Sequence, residues 1–66
     1  MTHYKNAVAA YKQFEKSTNR IERKGFYQMA KNFIDWHIAE VGGNYLNVYL
    51  EMVAEATGYY EKKAAA

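Results

Sequence analysis

The sequence predicts an all-α protein, a small three-helix bundle in which the second helix is the longest. Proline is absent and there are only four glycines, so few residues interrupt helices. Apolar side chains recur every three or four residues along three consecutive segments, which is the spacing of a helical face. With 66 residues, the chain is expected to form one domain, at residues 1–63, with a frayed tail at 64–66.

The first helix is expected at residues 3–17. Thr2 can cap its start, and its apolar residues fill an arc of roughly 120°. These residues are Tyr4, Ala7, Val8, Tyr11 and Phe14. We place the boundary with the second helix in the polar run 17–19, because Ser, Thr and Asn side chains compete for backbone hydrogen bonds. The alternative is a first helix that continues to Lys24 and breaks at Gly25.

The second helix is expected at residues 20–41, between a capping box of Asn19 with Glu22 and the paired glycines that follow Val41. The third is expected at residues 44–60, where Asn44 provides the cap and Gly58 can end the helix early. The apolar residues of each helix span roughly 200° of the helical wheel. A helix in a three-helix bundle needs an apolar face only somewhat wider than ~100°, so helices 2 and 3 require additional cover.

A second copy of the chain is predicted to provide this cover, in a homodimer built on helices 2 and 3, because two-fold dimers are the commonest soluble oligomers. A different, larger protein is the alternative. Seven tyrosines against two leucines and three isoleucines favour an interface, since Tyr, Trp and Met are common where protein surfaces meet. The predicted self or partner interface comprises Phe26, Phe33, Trp36, Tyr45, Tyr49, Met52, Tyr59 and Tyr60.

Positive and negative charges are separated along the chain. Residues 1–31 contain seven Lys or Arg and two Glu, whereas residues 32–61 contain five Asp or Glu and no Lys or Arg. This separation suits antiparallel association of two copies, and it suits helix 1 packed against helix 2 of the same chain equally well. The basic side chains form a predicted ridge for phosphates or an acidic partner. The ridge comprises Lys5, Lys12, Lys16, Arg20, Arg23 and Lys24.

The sequence predicts no catalytic site, metal site or cofactor. His37 and Glu40 lie three apart on helix 2, but metal sites in helical bundles use Glu-x-x-His on two helices, and here the order is reversed and occurs once. There is no cysteine, and Ser17 is the only serine, so nucleophilic catalysis has no motif. A cytoplasmic protein that does not bind membranes is expected, because no signal peptide or membrane-spanning run is present.

These features together predict a non-catalytic protein–protein interaction module, a homodimeric regulator or inhibitor that occupies the surface of a larger partner. Bacterial viruses and mobile elements encode many chains of this size class, and that association rests on size alone. The runner-up is a small nucleic-acid-binding protein that uses the basic ridge. The third hypothesis is a structural subunit of a larger assembly.

Overall fold

The computed structural model describes residues 2–59, which form three α-helices and no strand. α1 is Thr2–Lys16, α2 is Arg20–Val41 and α3 is Tyr45–Ala56. The prediction of an all-α, three-helix fold with a longest second helix is therefore confirmed. Tyr60 and the tail predicted at 64–66 lie outside the described residues.

α1 and α2 are separated at residues 17–19, the favoured boundary, and Gly25 lies inside α2. The Asn19 side-chain oxygen accepts hydrogen bonds from the backbone N–H groups of Ile21, at 2.9 Å, and Glu22, at 3.1 Å. These two donors belong to the first turn of α2, where no carbonyl of the helix can reach them. The Ser17 hydroxyl donates to the Glu22 carboxylate at 3.3 Å, which ties the connection to the new helix.

Arg23, on α2, also stabilises the connection between α1 and α2. Its guanidinium donates hydrogen bonds to the backbone carbonyls of Phe14, at 3.1 Å, and Ser17, at 3.0 Å. Its Cζ atom also lies 4.3 Å from the centroid of the Phe14 ring. The Phe14 carbonyl is among the last four of α1, which have no partner within their own helix. Arg23 therefore satisfies the end of α1 and holds α2 against it.

The turn between α2 and α3 uses two glycines with positive φ, Gly42 at 83° and Gly43 at 116°. Other residues rarely adopt this conformation, whereas glycine does so without a steric penalty. The Gly42 N–H donates to the Ile38 carbonyl at 2.7 Å and ends α2. The Asn44 side-chain oxygen then accepts from the Asn47 N–H at 3.1 Å and starts α3.

α3 is Tyr45–Ala56, residues 57–58 form a turn, and Tyr59 is helical again; the predicted limit at residue 60 lies outside the described residues. The Thr57 hydroxyl donates to the Val53 carbonyl at 2.8 Å, and Gly58 has a φ of 73°. Both features interrupt the regular hydrogen-bond pattern of the helix. The structure therefore shows an interruption of the helix at residues 57–58.

The core is small and lies where the three helices meet. α1 and α2 make the most extensive contact, and α3 packs against both. Three of the buried core residues are alanines, Ala7 and Ala10 on α1 and Ala30 on α2, whereas Ile34 and Met52 are the largest fully buried side chains. The backbone extends over 33 × 32 × 18 Å, so the three helices form a flat arrangement. Apolar side chains on its broad faces therefore remain close to solvent.

No helix within residues 2–59 combines the length and the hydropathy that a membrane span requires.

Replacing Arg23 by Ala is expected to lower the free energy of unfolding by about 1–2 kcal/mol, because two carbonyl contacts and the Phe14 stacking are lost from a partly exposed site. Urea unfolding followed by circular dichroism measures this change. Lys24→Ala is the matched control, since Lys24 is exposed and its loss should change stability by less than about 0.5 kcal/mol. Equal stabilities of the two variants would contradict the role assigned to Arg23.

Candidate functional site

Four large apolar side chains form a continuous line along α2. We call this line, which comprises Phe26, Met29, Phe33 and Trp36, the α2 stripe. Their spacing of three, four and three residues places them on one side of the helix. Met29 is 46% exposed and Trp36 is 53% exposed, whereas the two phenylalanines are half-buried. Within residues 2–59, this part of the broad apolar face of α2 is only partly covered.

A groove of about 370 Å³ runs between the α2 stripe and α1. α1 contributes Asn6, Ala9, Ala10 and Gln13, and α2 contributes Phe26, Met29 and Phe33. Two of the four α1 residues, Ala9 and Ala10, have small side chains, so the α1 side of the groove is low. The larger side chains of α2 form its higher side. No α3 residue described here lines the groove. We call this feature the α1–α2 groove.

His3 borders the same face at one end of the α2 stripe. Its ring centroid lies 6.4 Å from that of Phe33 and 5.8 Å from that of Trp36, and the Phe33 and Trp36 rings meet edge to face at 5.3 Å. The His3 Nε2 atom lies 3.3 Å from a carboxylate oxygen of Glu40. The ring contacts position Trp36, although half of its surface is open to solvent.

A row of lysines runs beside the groove on α1. Lys5 and Lys12 lie four residues before and three residues after Ala9, and Lys16 lies three residues after Gln13, so each is a surface neighbour of a groove residue. All three lysines are exposed, as are Arg20 and Lys24. None of these five forms an ion pair with any residue in the range 2–59. Arg23, the remaining residue of the predicted ridge, is engaged at the end of α1 instead.

Arg20 and Lys24 lie at the other end of the basic ridge, next to the α1–α2 connection. They line an open hollow of about 840 Å³ together with Asn19, Ile21 and Arg23. Ile21 is 84% exposed there. The hollow extends the basic surface beyond α1, but two of its side chains, Asn19 and Arg23, already serve the helix ends.

α3 presents an apolar strip that the sequence analysis did not single out. Leu46 is 60% exposed and Leu50 is 55% exposed, and their spacing of four residues makes them neighbours on the helix surface. We call this pair the α3 strip. On the sequence both leucines belong to the same broad apolar face as the tyrosines of helix 3, so the pattern alone did not show which part stays exposed.

The predicted interface residues of helix 3 differ in exposure, and Met52 is the one that the fold withdraws from any surface. Met52 is fully buried in the core. Tyr45 and Tyr49 are half-buried, stack on each other at 6.3 Å and pack against the core. The hydroxyl oxygens of Tyr49 and Tyr27 are 2.9 Å apart in a hydrogen bond in which either can donate. Tyr59 is 51% exposed.

The tyrosine packing explains why helix 3 uses tyrosine in place of leucine. The Tyr27 ring contacts Phe14 at 5.3 Å and Tyr11 at 6.4 Å, both on α1, and meets Tyr49 of α3 edge to face at 6.5 Å. Aromatic rings supply apolar contact across the gap between helices, while their hydroxyls remain hydrogen-bonded or close to water. Part of the tyrosine content is therefore used within the chain.

This environment raises the pKa of three tyrosines. Burial raises the pKa of Tyr49 well above its usual value, and the hydrogen bond with Tyr27 adds to the effect. Burial and then the charge of Asp35 raise the pKa of Tyr45. Burial and then the charge of Glu15 raise the pKa of Tyr11. All three phenols are therefore neutral in the folded chain near neutral pH.

His37 belongs to the core, where it is 7% exposed and its ring centroid lies 5.6 Å from that of Tyr4. Within residues 2–59, no three His, Asp or Glu side chains converge in a way that could hold a metal ion. The features with surface available for function are therefore the α2 stripe with its groove, the basic row and the α3 strip.

Comparisons with protein-family models, with curated proteins and with solved structures find no match for this chain.

The raised tyrosine pKa values predict that the fold weakens in alkali. The folded chain holds these phenol protons more tightly than the unfolded chain, so the tyrosine contribution to stability is constant below about pH 10 and falls as the pH rises further and the unfolded tyrosines ionise. The midpoint of urea unfolding between pH 8 and pH 12 measures this decline. Tyr49→Phe removes one ionising group and should make the decline shallower. An identical pH dependence in both proteins would contradict the assignment.

Proposed function

We propose that this chain is a small non-catalytic interaction module that docks another protein surface on the α2 stripe and the α1–α2 groove. The observation that supports the proposal is the combination of an apolar groove with Met29 and Trp36, each about half exposed beside it. Trp and Met are among the residue types that contribute most at protein interfaces. Their exposure on one line of one helix distinguishes them from single apolar residues scattered over a surface.

The form of the groove favours a helix as the bound element. α1 and α2 run side by side, and the groove follows their length from Phe33 and Asn6 to Phe26 and Gln13. An amphipathic helix fills such a groove with apolar residues spaced three and four apart. The half-buried phenylalanines form the wall, and the small side chain of Ala9 leaves room at the floor. A regulator or inhibitor of this kind acts by occupying the matching surface of its partner.

Met29→Glu is expected to reduce partner binding at least about tenfold, because it places an unpaired charge in an apolar contact. Gln28→Glu is the matched control: it adds the same charge next to Met29 in sequence, at an exposed position on the polar side of α2. Affinity capture from the source cells with wild type and both variants measures the difference. Circular dichroism verifies that both variants retain the helical fold.

The proposal requires bound proteins that wild type and Gln28→Glu retain and Met29→Glu loses. Equal retention by all three proteins would contradict a docking role for the α2 stripe.

Nucleic-acid binding is the second candidate function, and the exposed row of Lys5, Lys12 and Lys16, which forms no ion pair within residues 2–59, favours it. Phosphate contacts by these lysines, together with Arg20 and Lys24, would release up to five counterions. Affinity would then fall steeply with salt, with a log–log slope of about −0.7 to −0.9 per contact. Electrophoretic mobility shifts at increasing salt measure this slope. Absence of a shift near 100 mM salt would eliminate this candidate.

A further inference from the structure

We propose that Met29 is a site of reversible oxidation by hydroperoxides, and that its sulfoxide makes the α2 stripe polar while the fold stays intact. The chain has no cysteine and three methionines, so its sulfur chemistry is that of the thioether. Met29 and Met52 lie within the described residues, and Met1 lies outside them. The effect on docking rests on the proposed function, whereas the chemistry at Met29 does not.

The two described methionines differ sharply in exposure. Met29 is 46% exposed and lines the open α1–α2 groove with Phe26 and Phe33. Met52 is fully buried in the core. A peroxide must reach the sulfur to react, so Met52 is open to it only when the fold itself opens. The fold therefore presents one methionine to an oxidant and protects the other.

The reaction is a transfer of one oxygen atom. The thioether sulfur attacks one oxygen of the peroxide, so that an S–O bond forms and the O–O bond breaks. Sulfur loses two electrons and the peroxide gains them. The proton of the transferred hydroxyl passes to the leaving hydroxide, which departs as water, and the product is methionine sulfoxide. Two thiols reverse the change enzymatically: they form a disulfide, and the sulfoxide oxygen leaves as water.

Oxidation has opposite structural costs at the two sites. Met29 does not belong to the buried core, so its sulfoxide oxygen can remain in contact with water in the free chain. A sulfoxide at Met52 would place a polar oxygen in an apolar core, which is costly without a hydrogen-bond donor. Burial thus directs the reaction to the position where the fold tolerates it.

The same change alters the α2 stripe at its middle. Met29 lies three residues after Phe26 and four before Phe33, so its side chain is a surface neighbour of both rings. The sulfoxide oxygen is a hydrogen-bond acceptor, and a dry contact between proteins would bury it without a partner. Oxidation of Met29 therefore opposes docking on the stripe, and reduction of the sulfoxide restores it.

The first test measures which methionine reacts. The purified chain is treated with hydrogen peroxide for increasing times, and tandem mass spectrometry measures oxidation separately at Met1, Met29 and Met52. In the folded chain Met29 is expected to react at least about tenfold faster than Met52. In denaturing urea, which removes the burial, the two rates should become equal. Equal rates in the folded chain would overturn the proposal.

The second test measures the fold and the surface without any partner. After oxidation of Met29, the circular dichroism spectrum and the urea midpoint should be unchanged, while the chain should elute earlier from a hydrophobic-interaction column. The two methionine sulfoxide reductases, one for each sulfur epimer, should restore the original elution in the presence of dithiothreitol.

Met29→Leu is the matched control, because leucine has a similar volume and no sulfur. Peroxide should leave the elution of this variant unchanged. An equal shift in Met29→Leu, or a loss of helical signal when Met29 is oxidised, would overturn the proposal.

The third test measures docking. Wild type and Met29→Leu are each used for affinity capture from the source cells, untreated and after peroxide treatment and removal of the peroxide. Treatment should lower capture by wild type at least about fivefold relative to its own untreated sample. Capture by Met29→Leu should not change relative to its own untreated sample.

The outcomes separate this inference from the proposed function. If Met29→Glu abolishes capture but oxidation of Met29 does not lower it, the proposed function stands and oxidation does not control docking. If Met29 is oxidised selectively but neither oxidation nor Met29→Glu changes capture, the proposed function fails and the oxidation site stands. If oxidation is not selective for Met29, this inference fails whatever is captured.

Discussion

The close contact of α1 with α2 is the constraint on which the rest of the structure depends. Ala7 and Ala10 of α1 and Ala30 of α2 are buried in the core, and side chains this small let helix backbones approach closely. The same choice leaves a recess where Ala9 and Ala10 face the phenylalanines of α2. Small alanine side chains therefore account both for the close packing of the core and for the groove. A larger side chain at Ala10 would separate the helices and fill part of the recess at the same time.

α3 is attached by a different kind of contact. Its single fully buried side chain among the described residues is Met52, and the remaining attachment comes from half-buried tyrosines and valines. The Tyr27–Tyr49 hydrogen bond joins α2 to α3, in a contact where few aliphatic side chains are fully buried. Tyrosine suits this position because its ring reaches across and its hydroxyl finds a partner. The cover that α3 provides is therefore directed at one side of α2, and the other side stays open.

Local signals in the sequence were enough to place the helices. Asn19 and Asn44 cap helices, and the glycines after Val41 end one, because each acts on backbone groups within a few residues. The packing of the broad apolar faces was not predictable in this way. Phe33 and Tyr49 look alike on a helical wheel, yet Tyr49 is placed against another helix and Phe33 borders an open groove. That difference depends on contacts between segments far apart in the sequence.

Among residues 2–59, the separated charges of the lysines and carboxylates form no Lys or Arg ion pair. An internal role would pair the lysines of α1 with carboxylates of α2 or α3, but within residues 2–59 the ion pair that forms joins His3 to Glu40. Lys12 and Glu51 each remain exposed. Exposed charges without partners add little to stability, and their main effects are on the rate and orientation with which surfaces meet. Within residues 2–59 the internal role therefore has no Lys or Arg ion pair to support it, and an intermolecular role for these charges stays a prediction.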